Sequence, residues 1–259
     1  MENTADTGDR NAEVQRYWNE RIHDLDMTHH APGTAAFFED LDAYRFDKLR
    51  YLPKVVDFDA YAGKQLLEVG CGIGTDLVRF AKAGAHVTGV DLSETALKLA
   101  AENANHAGVD VRLELANGEA LPYEDGSFDV VYAHGVLQYA ASPETIVAEC
   151  RRVLTADGTA IFMVYNRLSW LNAMSKLTRV DLEHEDAPVL EKYSIAEFRR
   201  MLAPFGDVRI VPERFPVKSK LHGGWKGALF NEVFVGTFNV LPRAWVRPLG
   251  WHLMAFCRP

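Results

Sequence analysis

Three glycines and two carboxylates carry the first chemical signal in the chain: Glu68-x-Gly70-x-Gly72-x-Gly74, with Asp91 seventeen positions after the last glycine. Glycine removes three β-carbons from one turn, so the backbone there can bend sharply and lie against a ligand. An acid at the far end of such a unit is placed to hold the hydroxyls of a ribose. A dinucleotide fingerprint needs glycine at its first, third and sixth positions, and counted from Gly70 the sixth is Thr75. Glu68, two residues ahead of the first glycine, would repel a pyrophosphate and welcome a cationic amino-acid end. These residues therefore suit a nucleoside that carries positive charge and no phosphate.

The elements that must position this turn follow from apolar periodicity. Gln65 to Val69 reads as a buried strand. Thr75 to Ala83 carries Leu77, Val78, Phe80 and Ala81 on a helical repeat with Gly84 as a stop, and Ala85 to Val90 is the next strand. Ser93 caps a helix that stops at Gly108. Further strands are expected at Val109 to Leu115, Phe128 to Ala133, Thr159 to Val164, Asp207 to Val211 and the terminal HLMAFCR, with a helix over 143–154 and a turn at TADG, 155–158. Ligands in an open α/β sheet sit outside the carboxyl ends of the strands. The fourth and fifth strands release their chain there through His134, Gln138 and Tyr165. His134 is suited either to taking a proton from a substrate hydroxyl or to a hydrogen bond with the cofactor. Tyr165 either positions or deprotonates a nucleophile, or its hydroxyl finds a buried partner.

Residues 65–91 resemble motif I of the class I S-adenosylmethionine-dependent methyltransferases. The stretch Asn117, Gly118, Glu119, then Leu121, Pro122 and Tyr123, is similar to the loop that follows the third strand in that family, with Asn117 where an aspartate is usual. A neutral amide at that position makes a weaker contact with an adenine amine than a carboxylate does. The resemblance implies an α/β fold: a Rossmann-like, seven-stranded, mostly parallel sheet with helices on both faces and an antiparallel last strand closing the sheet at its edge. It implies S-adenosyl-L-methionine as cofactor, S-adenosyl-L-homocysteine as product, and no metal. The implied cofactor contacts are Glu68, Gly70, Cys71, Gly72, Gly74, Thr75, Asp76, Asp91, Leu92, Asn117, Gly118, Glu119, His134, Gln138 and Tyr17. His134 and Tyr165 are the catalytic candidates. The expected reaction is methyl transfer to an oxygen, carbon or nitrogen of a small molecule, in a group that includes the ubiquinone and menaquinone biosynthesis enzymes. A non-methylating enzyme using the same cofactor, and a non-catalytic partner or lipid-surface protein, are the alternatives.

Length and composition agree with one domain over 1–259: 259 residues with 48% hydrophobic content can bury one large core. The polar start and the lack of an apolar run of spanning length predict neither signal peptide nor membrane helix, hence a cytoplasmic protein. Cys71, Cys150 and Cys257 are odd in number and far apart, which suits a reducing compartment. A net charge of −8 argues against broad binding to nucleic-acid phosphates. Within the domain, 60–165 is the cofactor-binding core and 11–58 an N-terminal helical cap, in which Tyr17, Trp18, Ile22 and Leu25 share a face. Those aromatics either pack the core or cover the cofactor. The resemblance implies that the interval 166–193 faces the substrate; its run Asp181, Glu183, His184, Glu185 and Asp186 reads first as solvated surface, and Ser194 with Glu197 forms a capping box. The 213–250 insert holds Arg214, Lys218, Lys220, Lys226, Arg243 and Arg247 against Glu213 and Glu232, a local charge of +4. Its apolar helix, with Leu229, Phe230, Val233, Phe234, Phe238 and Leu241, is expected to cap the core; a homodimer contact, or contact with a peripheral membrane or lipophilic substrate, are the other readings.

Overall fold

The computed structural model describes residues 4–21, 25–178, 182, 184–217, 232 and 235–259. In chain order the elements are α1 (Thr4–Glu20), α2 (Ala35–Lys48), α3 (Leu52–Val55), β1 (Gln65–Val69), α4 (Thr75–Lys82), β2 (His86–Asp91), α5 (Glu94–Ala107) and β3 (Arg112–Leu115). They continue with β4 (Phe128–His134), α6 (Pro143–Val153), β5 (Leu154–Tyr165), α7 (Trp170–Thr178), α8 (Ile195–Met201), β6 (Asp207–Glu213), α9 (Gly236–Val240), α10 (Arg243–Val246) and β7 (His252–Arg258).

The seven strands form one sheet in the order β3-β2-β1-β4-β5-β7-β6. The first five are parallel, and β7 runs antiparallel to both β5 and β6. Side chains alternate between the two faces of a strand, so neighbouring apolar residues serve different layers. Leu66, Val130, Tyr132 and Ile161 meet Leu77 and Phe80 of α4 on one face. Leu67, Val131, Phe162 and Val164 meet Val147 and Cys150 of α6 and Phe198 of α8 on the other. Cover on both faces explains why the strands read as continuous apolar runs. Phe80 and Phe162 are fully buried, each contributing about 2–3 kcal/mol of transfer free energy.

The expected helix ends hold. Ser93 accepts the Ala96 N–H at 3.1 Å, Gly108 closes α5 in the left-handed conformation, and Ser194 and Glu197 form the capping box of α8. Several expectations are corrected. The last strand is antiparallel but does not lie at the edge: it is buried between β5 and β6, and half-exposed β6 takes the edge. The TADG segment belongs to β5 as a bulge, because pairing jumps from Phe128↔Leu154 to Val130↔Thr159. β3 begins at Arg112, not at Val109. The N-terminal cap starts before residue 11, since α1 spans Thr4–Glu20, and Leu25 belongs to a separate short turn of helix, Leu25–Met27.

Ile22, Asp181, Glu183, Lys218, Lys220, Lys226, Leu229, Phe230, Val233 and Phe234 lie outside the described residues, as does the side chain of Arg243. Of the insert's described residues, Val235 and Phe238 are buried while Val240 and Trp245 are 81% and 72% exposed. No helix among the described residues is long and apolar enough to cross a membrane.

Candidate active site

A cavity of about 250 Å³ opens at the carboxyl ends of β1, β2, β4 and β5. The strand order reverses between β1 and β4, which is where an open α/β sheet leaves room for a ligand. The glycine turn lies at that point. Gly70, at φ +68°, would bring a β-carbon within 2.5 Å of Val136 Cγ2. Gly74, at φ +77°, opens α4, and its bare α-carbon lets Ala100 of α5 approach.

Asp91 braces the turn: its carboxylate accepts the Gly72 N–H at 2.8 Å and the Ser93 N–H at 2.9 Å. Burial raises its carboxyl above the ordinary value, and these N–H donors oppose the rise. Glu68 is buried, and its Oε2 has no hydrogen-bond partner among the described residues. Burial, and then the charge of Asp76, push its carboxyl well above the usual range. An unpartnered buried carboxylate is costly unless a cation meets it. The ammonium end of S-adenosylmethionine has the charge and donors that this oxygen lacks, and a β-carbon on Gly72 would meet no protein atom, so the cradle is open where such a ligand would lie. The group fits the residues present. Glu68 would hold its amino-acid end and Asp91 its ribose.

Next to Glu68 stands a buried ion pair. Asp76 binds Arg45 of α2 through two hydrogen bonds, one of them Nε to Oδ1 at 2.9 Å, and Tyr132 donates to Asp76 Oδ2 at 2.8 Å. Burial alone would raise the Asp76 carboxyl, but the Arg45 guanidinium outweighs it and holds the carboxyl below the ordinary value. Arg45 also reaches Nδ1 of His134 at 3.4 Å. Burial and that cation pull His134 down to about 3. The imidazole is neutral at physiological pH and binds a proton weakly, which makes it a better polar contact than a general base.

Beyond His134 the cavity is walled by Met163, Tyr165, Arg214 and His252. Tyr165 receives a hydrogen bond from Tyr139 at 3.3 Å, and its ring stacks on Trp251 and His252 with centroids 4.5 Å and 5.6 Å apart. It presents a flat aromatic wall to the cavity.

Helix α1 lies across the glycine-turn side of the cavity. Asn11 donates to Glu119 Oε2 at 2.8 Å, Gln15 donates to the Leu92 carbonyl at 3.0 Å, and Ser93 donates to the Trp18 carbonyl at 3.0 Å. Trp18 lines the cavity and packs edge-on against Tyr139, 5.1 Å between centroids. Of the two readings of the α1 aromatics, packing is what Trp18 shows, and it does so in the wall of the cavity. Tyr17 is turned to the other side, where its hydroxyl donates to Asp186 at 2.9 Å and contacts His184 Nδ1 at 3.1 Å.

Of the residues expected to hold the cofactor, Glu68, Gly70, Cys71, Gly72, Thr75, Asp76, Asp91, Leu92, Asn117, Gly118, Glu119 and His134 line the cavity, as does the catalytic candidate Tyr165. Gly74, Gln138 and Tyr17 do not. Gly74 serves helix packing, Gln138 is fully buried behind the lining, and Tyr17 anchors α1 to the segment around His184. Asn117 uses its side-chain carbonyl to accept the Glu119 N–H at 2.9 Å, a turn-forming bond that competes with adenine for the same oxygen. Glu119 caps the start of α6 by accepting the Ser142 N–H at 2.9 Å.

Sequence reasoning missed Arg45, Tyr51, Arg214 and His252. For Arg45 a signal existed: Leu41, Arg45 and Leu49 recur every four residues and all line the cavity, a cation in the middle of an apolar helical stripe. No such local pattern marks Arg214 or His252. Among the described residues there is no group of three or more His, Cys, Asp or Glu placed to hold a metal ion.

Comparison with known proteins agrees with this geometry. Residues 67–162 match the family described as Methyltransferase domain. The chain is 38% identical over 107 residues to a ubiquinone biosynthesis O-methyltransferase of Methylococcus capsulatus, covering 41% of this chain and 45% of that one. It is 39% identical over 120 residues to the enzyme of the same name from Thiobacillus denitrificans, covering 46% and 50%. The chain therefore spans about half the length of the curated relatives it matches. Magnesium protoporphyrin IX methyltransferase from Synechocystis PCC 6803, solved with bound S-adenosylhomocysteine, superposes with a TM-score of 0.63 at 13% identity, covering 96% of this chain and 99% of that one. That likeness is one of fold. What the family likeness shows is a methyltransferase domain over residues 67–162 of this chain.

Proposed function

We propose that the protein transfers the methyl group of S-adenosylmethionine to an oxygen nucleophile on a small molecule. The observation that carries this reading is the buried, unpartnered oxygen of Glu68 beside a glycine turn braced by Asp91. A cationic amino-acid end and a ribose satisfy those two acids together. The choice of oxygen is supported by the O-methyltransferases that share residues of the same core.

When bound, S-adenosylmethionine supplies a methyl on a sulfonium that leaves as a neutral thioether. No departing anion needs to be stabilised, so the chain's task is to hold the nucleophile in line with the methyl. Such positioning supplies about 7 to 11 kcal/mol. Glu68 and Asp91 fix the donor, α1 excludes water through Trp18, and the wall of Tyr165, His134 and His252 orients the acceptor. With His134 weakly basic, Tyr165 in the cavity wall positions the nucleophile, and proton loss falls to water or to the acceptor's own acidity.

The test is a screen of hydroxylated acceptors with methyl-labelled cofactor, read by mass spectrometry. A product gaining one CH₂ is the expected result. Turnover of the cofactor without that gain would replace methyl transfer by another reaction on the same scaffold.

Exposed Val240 and Trp245 beside Arg247 support a second role for the insert, contact with an anionic lipid surface that stores a lipophilic acceptor. Flotation of the full chain with anionic vesicles, lost in Trp245→Ser, is the expected result; failure of the wild-type chain to float would remove this role.

A further inference from the structure

Four cationic side chains line the cavity: Arg21, Arg45, Lys48 and Arg214. Arg21 is paired with Asp186, Arg45 with Asp76, and the Lys48 ammonium lies over the Tyr44 ring at 5.2 Å. Arg214 differs from all three. Its guanidinium donates to Nε2 of His252 at 3.2 Å and has no carboxylate partner among the described residues. Burial and Arg214 itself keep His252 neutral, so this contact cancels none of the charge.

The position of that charge is built with care. Arg214 is half-buried and adopts φ 57°, a left-handed conformation rarely taken by a residue with a side chain. Its carbonyl accepts the Trp170 indole N–H at 2.9 Å and the Trp251 N–H at 3.4 Å, which hold the backbone there. Arginine only donates, so His252 Nε2 must be bare and Nδ1 must carry the hydrogen, which goes to the Tyr51 oxygen at 2.6 Å. By the same logic Arg45 leaves His134 Nδ1 bare, and its Nε2–H meets the Tyr51 oxygen at 3.3 Å. The Tyr51 hydrogen is left for Met254 Sδ at 3.9 Å. A ladder of Arg45, His134, Tyr51, His252 and Arg214 thus fixes one guanidinium fork at the end of the cavity away from Glu68 and Asp91. The stacked rings of Tyr165 and His252 provide a flat wall beside it.

We infer that Arg214 is the acceptor-recognition residue and that the acceptor is a planar small molecule bearing an oxyanion, either a carboxylate or an ionised acidic hydroxyl. A guanidinium fork matches such a group bidentately and repays the desolvation that a neutral imidazole leaves unanswered. This inference rests on the methyl-transfer reading, since it names the acceptor class for the same cavity.

The test uses the full chain with two matched probe pairs, benzoate against benzamide and 4-nitrophenolate against 4-nitroanisole, titrated by saturation-transfer NMR with and without S-adenosylhomocysteine. At least one anion is expected to bind saturably and about tenfold more tightly than its neutral partner. Preference confined to benzoate assigns a carboxylate; preference confined to nitrophenolate assigns an ionised hydroxyl. Arg214→Gln should abolish the preference, Arg214→Lys should retain part of it, and Arg21→Gln should leave it intact. Equal binding of charged and neutral probes, no saturable binding of either anion, or a preference undiminished in Arg214→Gln would overturn the inference. If Arg214→Gln does not fold, a preference in Arg214→Lys as large as in wild type serves as the contradicting result. Calorimetry with S-adenosylhomocysteine on the same samples separates the two claims. Cofactor binding without anion preference removes only the acceptor class, whereas anion preference without cofactor binding leaves Arg214 its role and removes the methyl donor.

Discussion

At one end of the cavity every strand-borne group comes from residues 68–119, while at the other end the walls come from positions 45, 134, 163, 165, 214 and 252. The first end works through backbone N–H groups, bare glycines and the acids Glu68, Asp91 and Glu119. The second works through side chains in contact over long sequence separations, and its charge is that of Arg214. Opposite charge at opposite ends of one low-dielectric cavity suits a cationic donor and an anionic acceptor, whose reaction consumes both charges. The ion pair of Asp76 and Arg45 stands between the ends and ties them together.

Removing that tie should have the largest effect. Asp76→Ala leaves Arg45 largely buried without its anion, and stability in urea titration should fall by about 3 to 5 kcal/mol. A loss under about 1 kcal/mol would mean that the ends are not coupled through this pair.

Glu68→Gln sharpens the comparison from the acidic side. Removing an unpartnered buried carboxylate should raise thermal stability by about 1 kcal/mol while weakening S-adenosylhomocysteine roughly tenfold. The sign follows from linkage. The folded Glu68 carboxyl titrates above its ordinary 4.5, so its protonated form favours folding and wild-type stability is lost as pH rises from there through the raised value. The advantage of the glutamine variant should therefore grow with pH above 4.5.

His134 probes the basic side with the opposite sign. Its folded value is pulled from 6.5 down to about 3, so its contribution is complete above 6.5 and is lost as pH falls through that window. In His134→Asn the stability profile should be flatter between those limits. An unchanged slope would show that the imidazole is not held neutral by the fold.

The smallest effect is expected at the cover. Asn11→Ala removes one bond from α1 to Glu119 and should cost about 1 kcal/mol or less, with faster release of S-adenosylhomocysteine in stopped-flow.

The same contrast explains what was legible in the sequence. Glu68, the glycines and Asp91 are strung along one strand-turn-helix-strand unit, so their spacing alone carries their geometry. The caps at Ser93, Gly108 and Ser194 were readable for the same reason: each is a local bond within a few residues. Arg214 and His252 meet only because β7 inserts between β5 and β6, a pairing that no local pattern encodes. The edge position expected for the last strand failed on that point. Apolar HLMAFC reads the same for an edge or an interior strand until its partners are known. The TADG bulge was hidden because its composition is that of a turn, while the pairing with β4 on either side of it, at Leu154 and from Thr159 on, carries the strand through it. Tyr17 was expected to touch the cofactor, but the helical repeat carries it to the Asp186 side, leaving Trp18 and Val14 of the same helix to line the cavity.

The central claim is that the acidic end holds a cationic nucleoside through Glu68 and Asp91. Isothermal calorimetry of the intact chain with S-adenosylmethionine tests it most directly. The account predicts saturable binding at one cofactor per chain, weakened at least tenfold by Asp91→Ala. Absence of binding by the wild-type chain, or the same affinity in Asp91→Ala, would contradict it.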